Sequence, residues 1–350
     1  MTARQLHRWL GLGLGIYLVL VSLSGALLLY KNPLLRFQYP ELREIELVAD
    51  IRIWGPLVNQ LQADPRFRYI KLPEAEAPWL EAVTHSDDRH YYDHQANLRL
   101  IRPAHNDLIG WLYDFHLHLL AGKDGRLVMG YLGLGVLVMF VAGLVQWWPR
   151  HFRRQLWRLP KPKADLRTMR QWHTSVASLS FPLQLLALLT ALALIFSAQV
   201  RPVFSWLMND PPEGAQSVTV QSQPLAETDW QTALNTAVEY WPKMEFRLLS
   251  LRSAASDAIS MRAKSINEWH PNGRSRLMLD AEGKQIVASQ LADDFGTGQR
   301  FYNLMYPLHM AAVGGEGYRL LLLAGGLIPL LLFITGLWYY LLRGRRQQGN

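Results

Sequence analysis

Cysteine is absent from all 350 residues. That one absence excludes iron–sulfur clusters, covalent c-type haem through Cys-x-x-Cys-His, thiol catalysis and disulfides. Any redox role must rest on a non-covalent cofactor, and any extramembrane domain on its own apolar core. Acidic residues are missing from the long apolar runs, which removes the usual mark of an ion path through a membrane. No dinucleotide-binding unit is visible. Gly11, Gly13 and Gly15, like Gly130, Gly133 and Gly135, fall inside apolar runs, where small residues serve close packing.

Four such runs are long enough to cross a bilayer: Trp9–Tyr30, Val128–Trp148, Val176–Val200 and Tyr318–Leu342. A mean hydropathy near zero hides them by averaging. The first run is too long for a secretory signal and reads as a retained anchor. Net charge is +8, and its distribution says more than its total. The connection Pro149–Gln171 holds Arg150, Arg153, Arg154, Arg158, Lys161, Lys163, Arg167 and Arg170 against Asp165 alone. Arg4 and Arg8 precede the first run; Arg343, Arg345 and Arg346 follow the last. Short positive segments stay cytoplasmic, so both termini and the middle connection are expected inside, and the two long connections outside. Topology explains the basic residues, and nucleic-acid binding is not needed.

Histidines repeat between the two halves. A shift of 166 residues lays Arg4, Gln5 and His7 on Arg170, Gln171 and His173. A shift of 193 lays His116, Gly133 and Gly143 on His309, Gly326 and Gly336. The pattern reads as an internal duplication that kept its histidines. Each half then carries a helix, an outward domain, a short helix and a second span. In the first domain Trp54–Ala63 is helix-like, followed by strand-like Arg66–Leu72, Trp79–Thr84, His90–Asp93 and Leu98–Arg102. The second repeats the order: helix-like Asp229–Tyr240, then Glu245–Arg252, Ala258–Lys264, Ser275–Asp280 and Gln285–Ala288. The expected fold is a four-helix transmembrane bundle with two small α+β periplasmic domains. Its segments are a first span at 1–30, a domain at 31–106, a short helix and second span at 107–148, and the connection at 149–171. A third span follows at 172–200, the second domain at 201–297, a short helix and fourth span at 298–342, and a tail at 343–350.

His7 and His173 start helices at the inner face, while His116 and His309 approach from the outer face. Pairing must therefore run across the halves, because opposite faces are about 30 Å apart. Each pair could present two imidazoles to the two sides of one flat haem, giving two such sites stacked along the membrane normal. Zinc would want three or four clustered nitrogen or sulfur ligands. A lone histidine at a helix end is usually an interfacial polar residue; it is the paired placement that raises haem ligation above that. His118 is a reserve ligand or substrate-side group. Arg4, Arg8 and Arg170 could pair with haem propionates, or serve only topology. His151 reads as a surface residue, His85, His90 and His94 as solvated turn residues, and His105 and His270 carry little information.

These motifs resemble the PepSY-associated transmembrane family. The matching stretches are Leu6–Gly11, Phe115–Gly122, Gly143–Pro149, Trp172–Thr174 and Leu308-His309. The outward domains resemble the small PepSY module, including the turn at Asp280. The resemblance covers essentially the whole chain and extends to bacterial inner-membrane reductases of ferrioxamine-type siderophores. It implies two b-type haems, an unidentified electron donor, and a ferric hydroxamate siderophore as periplasmic partner. His118 departs from the family pattern, which often has an acid there, and Thr190-Ala191 replaces the commoner Thr-Gly. Three functions follow as expectations: a haem-dependent ferric-siderophore reductase, an iron-chelate permease component, or a non-enzymatic binding or regulatory module.

Overall fold

The computed structural model describes residues 1–147, 159–161, 163, 165–211, 228–252 and 258–348. His151, Trp148 and most of the basic connection lie outside the described residues. The chain divides into two compact units. One holds residues 1–30, 111–197 and 308–350; the other holds 31–110 and 198–307.

Four long helices dominate the first unit: α1 (Ala3–Leu28), α5 (Gly122–Trp147), α6 (Leu166–Ile195) and α11 (Gly315–Gln348). All four are long and apolar enough to cross a membrane. Thr2 caps α1, with a reciprocal Gln5 capping box, and Asp165 caps α6 by accepting from the Thr168 amide. Both α1 and α6 pack on α5 and on α11, so the order around the bundle is α1–α5–α6–α11. The third apolar run was expected to continue to Val200, but α6 stops at Ile195 because Phe196 leaves helical geometry (φ −93°, ψ 39°). Two short helices precede spans: α4 (Leu108–His118) and α10 (Met305–His309). Left-handed residues separate them from the spans: Leu119, Leu120 and Gly122 after α4, Ala311, Gly314 and Gly315 after α10.

The second unit is built on one antiparallel sheet in the order β4-β3-β2-β1-β5-β6-β7-β8. Its strands are β1 (Phe67–Lys71), β2 (Leu80–Thr84), β3 (Arg89–Tyr92), β4 (Leu98–Arg102), β5 (Glu245–Ser250), β6 (Ile259–Lys264), β7 (Ser275–Leu279) and β8 (Ile286–Gln290). Helices α3 (Gly55–Ala63) and α8 (Trp230–Tyr240) precede the two sets of four. The two domains expected to stand apart are thus joined. β1 pairs with β5, setting Ile70 opposite Leu249, and one core runs through both sets. Trp54, Leu57, Val58, Trp230 and Leu234 fill it from the helices, Ile70, Leu249, Ile259 and Met261 from the sheet. Alternation explains the choice of face: Ile259, Met261 and Ala263 are buried, while Ser260, Arg262 and Lys264 point the other way. The β1–β5 pairing lets both four-stranded sets bury this face in a single core.

On the opposite face, the first half is covered by Leu35 of α2 (Lys31–Gln38), with Leu42, Ile45, Trp79, Tyr91 and Ile109. Beside this cluster Glu81 is buried between Arg89 and Lys71. Burial alone would raise the Glu81 pKa, but Lys71, Arg89 and Lys31 outweigh it and hold the carboxyl far below its usual range. Its stabilising contribution is therefore present above the ordinary carboxylate pKa and is lost as pH falls. Glu81→Ala leaves these cations without their carboxylate and should cost about 3–5 kcal/mol. Thermal melting followed by tryptophan fluorescence checks this; an unchanged midpoint contradicts it.

Candidate functional site: paired histidines at both ends of the bundle

His7 lies one turn into α1 and His173 two turns into α6, on helices diagonally opposed in the bundle. Their ring centroids are 6.1 Å apart with planes at 78°. At the other end His116 lies in the last turn of α4 and His309 closes α10, with centroids 6.2 Å apart and planes at 27°. From His7 to the Val21–Ser24 turn beside His116, α1 rises about 20–25 Å. Both predicted pairs are brought together, one near each end of α1.

Each ring is held by the same nitrogen. The Nδ1 of His7 is 3.0 Å from the Met139 carbonyl, and that of His173 is 3.0 Å from the Leu332 carbonyl. The Nδ1 of His116 lies 3.1 Å from both the Val21 carbonyl and Ser24 Oγ. The Nδ1 of His309 lies 3.0 Å from Thr190 Oγ1 and also meets the Ala187 carbonyl. A carbonyl can only accept, so each ring donates from Nδ1 and keeps Nε2 as its lone-pair nitrogen. Glycines make room for three of the rings. A Cβ on Gly143 would stand 3.1 Å from His7 Cε1, one on Gly336 3.3 Å from His173 Cε1, and one on Gly25 2.6 Å from His116 Cε1.

These partners obey the histidines' own repeat. Val21 and Ser24 fall on Ala187 and Thr190 under the shift of 166, and Met139 and Gly143 on Leu332 and Gly336 under the shift of 193. Ala191 stands where Gly25 is in the first half. The hydroxyl of Ser24 meets a ring that sequence reasoning left without it, and Thr190 entered that reasoning only as part of the Thr190-Ala191 pair. Their agreement under the His7 shift was the available signal.

The separations fit a metal gripped from both sides. Two imidazoles that held one metal between them at about 2 Å per nitrogen would have ring centroids roughly 6 Å apart, the spacing of both pairs. No group of three or more His, Asp or Glu that could hold a metal ion occurs among the described residues, so the donor sets are pairs. Pairs suit a macrocycle that supplies its own equatorial nitrogens, and do not suit zinc.

The remaining predicted residues divide. Arg8 is half-buried and its guanidinium lies 5.0 Å from the Trp9 ring, with a buried Nε that has no hydrogen-bond partner. Arg4 and Arg170 are exposed. His118 is turned to Asp114, with 2.9 Å between Nδ1 and Oδ1, one turn back along α4, and joins neither pair. His90 packs edge-on against Phe67. His270, which carried little information in sequence, is buried at 4% exposure and stacks on Tyr306.

A bundle of four apolar helices with histidine pairs at two levels, joined in one chain to an eight-stranded sheet unit, defines a helical membrane protein. Residues 4–343 match the family model of the PepSY-associated TM region, and the chain belongs to that family. No curated protein matches it.

Proposed function

We propose that this protein is a di-haem membrane reductase that carries electrons across a bacterial inner membrane to ferric iron held by a hydroxamate siderophore. The single observation that carries the reading is the equal spacing of the two histidine pairs, 6.1 and 6.2 Å, with every Nδ1 committed to the protein. His7 with His173, and His116 with His309, would hold one b-type haem each. Bound there, haem supplies one-electron redox chemistry without a covalent link, as a chain lacking cysteine requires. The carbonyls of Met139, Leu332, Val21 and Ala187 fix the tautomer and raise the basicity of each ligand. Arg8 offers a charge near the first pair that suits a propionate.

Charge supports the direction. Basic segments at both termini and in the middle connection favour a cytoplasmic position for the His7/His173 end, and a periplasmic one for the His116/His309 end and the sheet unit. The matched shifts of the site residues favour origin by duplication, with each half contributing one PepSY-like set of helix and strands. Hydroxamate oxygens are hard donors that favour the ferric ion, so adding one electron loosens the chelate and releases ferrous iron.

The test is an anaerobic spectrum of the purified protein. A Soret band should shift on reduction and return when ferric hydroxamate siderophore is added in stoichiometric amount. Protein that carries no Soret band after haem supplementation, or that stays reduced in the presence of the chelate, defeats the reading.

A further inference from the structure

The face of the second half of the sheet turned away from α8 carries clustered cations that form no ion pair among the described residues. Arg262 on β6 lies directly opposite Arg276 on β7, an arrangement of like charges that costs stability. Arg274 enters β7 from the preceding connection, half-buried, with its Nε buried and without a hydrogen-bond partner among the described residues. From α7 (Ser197–Leu207), Arg201 sits 5.0 Å from the Tyr302 ring. His270 stacks on Tyr306 of α10 at 4.9 Å, and Tyr302 lies on the preceding helix α9 (Thr297–Asn303). Among the described residues, Arg201, Arg262, Lys264 and Arg274 form no ion pair.

The two halves differ at a specific register. Ile70 and Leu249 face each other across β1–β5 and pair outward with Ala82 and Met261. One step along, Lys71 pairs with Glu81 in the first half, but Ser250 pairs with Ser260 in the second. In the other direction Val83 corresponds to Arg262, and Arg89 to Arg276. The first half therefore supplies an internal carboxylate to its basic face. The second adds an arginine and has a serine where that carboxylate would be. Glu268 is the acid coupled to Arg274, yet burial lifts its pKa to about 7, against backbone amides of Ser265 and Arg274 that lower it. It is a poor counter-charge near neutrality. Burial first, and neighbouring cations second, push the Arg262 and Arg274 pKa values down. Burial, then Arg274, Arg262 and Lys264, push that of His270 to about 3, so its ring is neutral.

We infer that this face, centred on Arg262 and Arg274 and bordered by Arg201, Lys264 and His270, is a binding site for an oxyanion, a carboxylate or phosphate group. Guanidinium forks are the side chains best matched to such planar or tetrahedral oxygens, and a bound anion would relieve the repulsion that the empty sheet face carries. The site is separate from the histidine pairs and does not depend on haem.

Melting of the full-length protein in detergent tests it, with inorganic phosphate and citrate as probes and sodium chloride at matched ionic strength as the control. The wild type should show a saturable rise of roughly 2–4 °C at tenfold excess over the dissociation constant. The Arg262→Gln/Arg274→Gln variant should lose the rise, and without anion should melt no lower than wild type, because its removal relieves like-charge repulsion. Arg274→Lys, which keeps the charge but not the fork, should retain part of the response. If the double variant does not fold, the single glutamine variants give the same comparison. A rise seen with phosphatidylglycerol nanodiscs but not with soluble anions would identify a lipid phosphate as the ligand. No anion-specific rise in the wild type, or an equal rise in wild type and variants, overturns the inference.

Discussion

His309→Ala protein is expected to bind one haem where the wild type should bind two, and to lose ferric-chelate reduction by more than about 100-fold. Among the described residues, His116 and His309 are the imidazoles paired at that end. The nearest substitute, His118, is committed to Asp114 and lies off the pair. An alanine at 309 also leaves the Thr190 hydroxyl without its ring partner. Haem content by the pyridine haemochrome method, alongside the Soret absorbance, reads the loss directly. His118→Ala should keep both haems and serves as the control for folding. If His309→Ala keeps full haem content and full reduction rate, the ligand assignment at this end is wrong.

The second large effect is directional. His173→Ala should remove the haem at the His7 end while leaving the His116/His309 pair intact, because the two sites share no side chain and are about 20–25 Å apart along α1. In proteoliposomes with the reductant enclosed on the His7 side, reduction of an external ferric chelate should fall to the protein-free background. Dithionite added directly to solubilised protein should still bleach and shift the remaining Soret band. That combination separates a broken relay from a misfolded protein. Continued transmembrane reduction by the variant would show that electrons reach the chelate by another route.

Gly25 and Ala191 show that the two ends differ at matching positions. A Cβ at position 25 would press on His116 at 2.6 Å, whereas the second half carries an alanine, Ala191, at the matching position. The repeat thus preserves the hydroxyl and carbonyl that orient each ring more strictly than the space around it.

What could be read from residues alone was whatever obeys short-range rules. Apolar length marked the four spans, alternation and turn residues marked all eight strands to within a residue or two, and matched shifts singled out His7, His116, His173 and His309 among 11 histidines. Those signals are local because helix and strand periods are properties of the backbone. Three-dimensional packing decided the rest. Whether two four-stranded sets stand apart or share an edge depends on burying one common apolar face, and β1–β5 pairing joins residues 179 apart in Ile70 and Leu249. The choice of Nδ1 acceptors belongs to neighbouring helices, since the carbonyls of Met139 and Leu332 carry no side-chain signature. The uncompensated Arg262 and Arg274 emerged only with the register, because a charge is unanswered only relative to what faces it.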